Sequence, residues 1–164
     1  MNDEKGQLSG EYMLLVGSLI VVLMISIFMI ANENELNIAM AVAKSGADEG
    51  VASSSSAIYP KETFNEYDDR EGLKHPYSVS IVNVSYNSSG IDENYGKQKI
   101  QFKVYAKASV DYNKKELDSI GDRINYNLRK SVATSFNTTD STNKLYNPVF
   151  SNNYVFTTAN VVWV

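Results

Sequence analysis

The chain has 164 residues, a net charge of −4, 43% hydrophobic residues and no cysteine. The missing cysteine excludes disulfides, thiolate metal sites and cysteine nucleophiles. The weakly acidic balance, without a basic patch, gives no electrostatic footprint for nucleic acid.

The first element is also the most informative. Tyr12–Ala31 is a run of twenty residues without a charge, twelve of them Leu, Ile, Val or Phe. At ~1.5 Å per residue, such a helix crosses the ~30 Å hydrocarbon core of a bilayer. A secretory signal peptide fits poorly. Lys5 and the terminal amine are offset by Asp3 and Glu4, and the apolar run exceeds the usual core of about 7–15 residues. The nearest small-x-small sites, Ala39-Met40-Ala41 and Ala41-Val42-Ala43, lie beyond Glu33 and Glu35. A plain signal anchor explains the span but not the residues before it, above all Glu11 at its mouth. A carboxylate there is costly unless it has a task.

The pattern Gln7-x-Ser9-x-Glu11-x-x-x-Leu15, a few residues from Met1, resembles the class III signal peptide of archaeal type IV pilin precursors. The resemblance covers about the first 30 residues, and the rest of the chain resembles no family. It implies a hydrophilic leader, residues 1–6, removed on the cytoplasmic side by a prepilin peptidase between Gly6 and Gln7. Gln7 then becomes the N-terminus and Glu11 the fifth residue of the mature chain. Archaellins share the leader but usually lack this glutamate, so Glu11 favours a pilin. Elementary electrostatics runs alongside. Cleavage frees an amine on Gln7, and an unpaired charge in a bilayer or helical bundle is expensive where a paired one is tolerable. Glu11 can pair with that amine within one chain, at i and i+4, or across two subunits. The plainer alternative is a headgroup-level carboxylate interacting with a helix N-terminus.

Beyond Ala31, the residues Leu36, Ala39, Met40, Ala43 and Ala47 form an amphipathic stripe. A continuous helix from Leu8 to about Ser45 would be roughly 57 Å long, with Gly46, Gly50 and Ser53–Ser56 weakening its end. The long helix, with its transmembrane segment 12–31, is assigned to 7–56 and a head domain to 57–164, an ordinary size for a single core.

Residues 58–76 read as a polar connector with Pro60, Gly72 and Pro76. A strand then begins at Tyr77, its alternation slipping once at Ile81-Val82, which predicts a bulge. After a polar loop, Asn87–Gly96, the stretch Lys99–Val110 alternates cleanly, a half-buried strand of an antiparallel sheet. Asn113, with Glu116 three residues on, predicts a capped helix. Leu117, Ile120, Ile124, Leu128, Val132 and Phe136 hold its spacing, and Asn137-Thr138-Thr139 ends it. The chain closes on a strand region, Tyr154–Val164, whose last four residues are apolar on both faces and read as inserted into the sheet or against the long helix. The fold class expected is α+β: a long hydrophobic N-terminal helix, then a small antiparallel sheet with one packed helix.

Signals for catalysis are poor. His75, the only histidine, sits in the connector. Asp68, Asp69 and Glu71 cluster around Arg70 but lack the spacing and central glycine of a calcium loop. Asp118 and Asp122 read as a solvated helix face, and neither a phosphate-cradling loop nor a Ser/His/Asp arrangement occurs. No catalytic residue, cofactor or metal is expected. Three sequons do occur, at Asn83-Val84-Ser85, Asn87-Ser88-Ser89 and Asn137-Thr138-Thr139, and these asparagines are candidate glycosylation sites.

The function expected is a structural subunit of an archaeal pilus-like filament for adhesion. Its partners would be copies of itself, the peptidase, the membrane assembly machinery and, as a precursor, the lipid bilayer. The precursor would sit with its N-terminus cytoplasmic and its head outside. The alternative is a monomeric, membrane-anchored extracellular binding module with the same processing. A tethered hydrolase lacks visible chemistry.

Overall fold

The computed structural model describes residues 3–55, 75 and 77–164, with side chains from residue 10 to 53 in the first helix. The connector's acidic cluster, Pro60, Gly72 and Pro76 lie outside the described residues. The chain forms two compact units, 1–37 and 38–164. Helix α1, Asp3–Ser55, begins in the first and ends in the second.

In the first unit the helix stands alone. Every large apolar side chain from Tyr12 to Ile30 except Val16 is at least 50% exposed.

The second unit is an α+β head. Its elements after α1 are β1 (Val79–Asp92), β2 (Lys97–Ala108), α2 (Lys114–Ser135), a 3-10 turn (Thr139–Ser141), β3 (Val149–Phe150), β4 (Tyr154–Thr158) and β5 (Val162–Trp163). The sheet order is β1-β2-β4-β3, with β5 also on β2. The expected bulge is present, the β1–β2 register shifting between Ile81 and Asn83. The expected alternation of β2 holds too: Ile100, Phe102, Val104 and Ala106 are buried while Lys103 and Lys107 are exposed.

Three expectations are corrected. The polar stretch from Asn87 is not a long loop. β1 runs on to Asp92, and only Glu93–Gly96 turn the chain. Asp92 makes that turn: its backbone oxygen accepts from Gly96 N at 2.8 Å, its side chain accepts from Asn94 N at 3.0 Å, and Gly96 takes φ +62°. With both faces exposed at the strand's end, pairing continues where the hydrophobic alternation stops. The sheet is also mixed rather than antiparallel, because β4 and β5 run parallel to β2. The chain returns to β2 only after crossing through α2, and a crossover delivers a parallel strand. Lastly, Gly46 and Gly50 do not loosen the end of α1. Both are buried, and α1 persists to Ser55.

The core lies between α2 and one face of the sheet. Phe156 on β4 stands 5.5 Å from the Phe102 ring and 5.9 Å from Phe136 at the end of α2, over fully buried Ile124, Leu128 and Val132. The capping box of α2 is present, with Glu116 N donating to Asn113 Oδ1 at 2.9 Å and Asn113 N to Glu116 Oε2 at 3.3 Å. The C-terminal half of α1 packs on the same helix. Ala39, Ala43 and Ala47 are fully buried, and Gly46 and Gly50 bring the backbone of α1 against α2.

Candidate functional site

Gly6 and Gln7 lie on the backbone of α1, and Glu11 is an exposed residue one turn further on. From Tyr12 the helix is apolar on all sides. The two serines of the run Tyr12–Ala31 are turned inward onto the helix's own carbonyls: Ser18 Oγ donates to Leu15 O at 2.8 Å and Ser26 Oγ to Val22 O at 2.9 Å. These bonds leave neither serine hydroxyl seeking water, as a helix in hydrocarbon or a dry bundle requires. Gly10 and Gly17 face open space, so this stretch offers close approach to a neighbour. Among the described residues, α1 is the one helix long and apolar enough to cross a membrane, with a mean hydropathy of 2.9 in its most apolar window. It can serve as a membrane anchor or as a signal.

The sequons divide by local structure. Asn83 and Asn87 are exposed on β1, an edge strand, paired across to Tyr105 and Gln101. Asn137 is exposed and ends α2 in the left-handed conformation, φ +53°. Its N–H donates to Thr134 O at 3.1 Å and that of Thr138 to Ala133 O at 2.9 Å, a Schellman motif. Asparagine is the residue other than glycine that best tolerates this conformation, so Asn137 has a structural duty beside its place in a sequon.

The weak catalytic candidates stay apart. His75 is exposed, as are Asp118 and Asp122 on the solvent side of α2. The described residues contain no group of three or more His, Asp or Glu placed to hold a metal ion. Arg129 is structural: Nε donates to Leu145 O at 3.1 Å and Nη1 to Thr158 Oγ1 at 2.5 Å. Burial lowers its pKa from the ordinary arginine value, the charge of Asp122 partly opposing the shift.

One feature of the head has no signature in the sequence. Lys97, Phe136, Thr138, Ser141, Phe150, Ser151 and Asn152 line a cleft of about 300 Å³ where β2 begins and α2 ends. Segments far apart in the chain meet there, so no local motif marks it.

No family model, curated protein or solved structure matches the chain.

Proposed function

We propose that this chain is a structural subunit of an archaeal type IV pilus-like surface filament. In this reading it is inserted as a membrane precursor, N-terminus cytoplasmic and head outside. A prepilin peptidase cuts before Gln7, and assembly proceeds through the N-terminal helix. It performs no catalysis; its partners are copies of itself and the assembly machinery, and its role is adhesion.

The observation that carries the reading is the exposure of α1. From Tyr12 to Ile30 its large side chains, Val16 apart, are at least 50% exposed, far more apolar surface than a soluble monomer leaves in water. That surface needs lipid before assembly or other helices after it. Glu11 at its mouth supports the second stage, because a carboxylate among apolar helices calls for a cationic partner, and the amine released on Gln7 is one. The inward-turned Ser18 and Ser26 suit both environments.

Electron microscopy of filaments sheared from native cells, with peptide identification of their subunits, tests this. The expected result is this chain in the filament fraction, beginning at Gln7. Recovery only from membranes, beginning at Met1, overturns it.

A further inference from the structure

We propose that the cleft beside the β1–β2 turn binds a carboxylated sugar unit of an anionic polysaccharide. The proposal rests on the head alone and holds whether or not the chain forms filaments.

Lys97 opens β2 directly after the turn. Its ammonium donates to Ser151 O at 2.5 Å and lies 5.9 Å from the centre of the Phe150 ring. A carbonyl and an aromatic face hold a cation without neutralising it, and two of its three N–H donors remain. Asp92, its partner across the hairpin, turns to Lys99 instead, at 3.8 Å. Among the described residues no carboxylate pairs with Lys97, so a half-buried positive charge faces the cleft uncompensated.

Around that charge stand uncharged groups. Thr138 Oγ1 donates to Phe150 O at 3.0 Å, which leaves its oxygen free to accept. Ser141 and Asn152 are exposed, and their side chains bond to none of the described residues. On the turn, Tyr95 is 48% exposed and packs against Phe150 at 5.0 Å with the rings 67° apart. The rings of Phe136 and Phe150 in the lining, with Tyr95 against Phe150 from outside it, stand beside hydroxyl, amide and one fixed cation, and match a sugar ring that has C–H faces, several hydroxyls and one carboxylate. The cleft's 300 Å³ suits one or two such rings. A phosphate, with up to two charges, would call for a second cation, and among the described lining residues Lys97 is the one cation.

The test uses the full chain in detergent micelles, with trigalacturonate as the probe and calorimetry as the readout. Binding is expected to weaken with salt and to exceed that of neutral galactotriose at least tenfold. Lys97→Gln should lower affinity at least tenfold. So should Asn152→Asp, which sets a negative charge at the exposed rim without touching the core. Lys107→Gln, ten residues along the same strand and roughly 33 Å away, should change nothing. Absence of binding at millimolar trigalacturonate overturns the proposal, as do equal binding of the neutral trimer and an equal loss in Lys107→Gln.

Discussion

A Cβ placed on Gly50 of α1 would stand 2.7 Å from the Ile124 Cα of α2 and 3.2 Å from Arg123 O. The two helices therefore meet backbone to backbone at this point, and a Cβ on Gly46 would stand 2.6 Å from Ser131 Oγ and 2.8 Å from Asn127 O. Glycine usually costs a helix about 1 kcal/mol relative to alanine. Here the cost is offset by an approach that no side chain permits.

This yields a paired prediction. Gly50→Ala gains the helix preference but overpacks a contact with main-chain atoms that cannot swing aside, at about 1–3 kcal/mol, so it should lower the thermal midpoint by a few degrees. Gly121→Ala, where the added carbon meets only the Val161 side chain at an ordinary 3.4 Å, should leave the midpoint unchanged or raise it. Circular dichroism melts of the full chain in micelles read both. A rise for Gly50→Ala would mean that the close approach is not made.

Asn137 should separate its two roles by substitution. Asn137→Gly keeps the left-handed turn and should be nearly neutral, whereas Asn137→Ala should cost about 1 kcal/mol. Thr139→Ala destroys the sequon while leaving the turn intact, so it should remove any sugar at this site with little change in stability. Glycopeptide mass spectrometry of native protein is expected to find sugar on at least one of Asn83, Asn87 and Asn137. Bare asparagine at all three would retire the glycan and leave the turn's energetics untouched.

What the sequence disclosed and what it hid divide along the range of the interactions involved. The capping box of Asn113 and Glu116, the bulge beside Val82 and the alternation of β2 rest on neighbours in the chain, and all were legible there. The parallel return of β4 and β5 to β2 depends on partners more than fifty residues away, and nothing local distinguishes it from an antiparallel arrangement. Gly46 and Gly50 look like helix weakeners until α2 is set against them. The same logic applies to function. The residues from Gln7 to Glu11, on which the filament proposal leans, are contiguous in the chain, while the cleft at Lys97 draws on separated segments that no local pattern marks.

Asn125 shows how the C-terminal strands are secured. The offset between β2 and its parallel partner is 154 − 98 = 56 at Tyr154 and 162 − 105 = 57 at Val162, so one extra residue is taken up between β4 and β5. Within that irregularity, Ala159 O accepts from buried Asn125 Nδ2 at 2.9 Å. Asn125→Leu should cost about 1 kcal/mol, because the half-buried Ala159 carbonyl loses its donor while the buried Asn125 Oδ1, which has no partner among the described residues, is removed with it. Asn125→Asp should be destabilised at pH 7 and recover toward pH 4. A carboxyl facing a carbonyl titrates higher folded than unfolded, so its folded form is favoured when protonated and loses stability as pH rises. Urea unfolding at the two pH values checks the sign.

The filament reading makes its sharpest prediction at Glu11. Cleavage between Gly6 and Gln7 leaves 164 − 6 = 158 residues and a free amine four positions before the carboxylate, which intact-mass and N-terminal peptide analysis of the mature protein should show. Glu11→Leu removes a charge from the mouth of the span, so membrane insertion should be slightly easier. The substitution lies outside the proposed leader and in the other unit from the head, so in this reading cleavage and head folding should be normal. In assembly the loss differs in kind, because the incoming subunit has no carboxylate to set its register and the Gln7 amine enters an apolar bundle unpaired. Glu11→Leu should therefore accumulate in membranes, correctly processed, and fall at least tenfold in the sheared-filament fraction, entering filaments only beside wild-type chains. Normal filament yield from Glu11→Leu alone would reduce the residue to a helix-end charge. Processed protein that never leaves the membrane in either form would favour the monomeric anchored module instead.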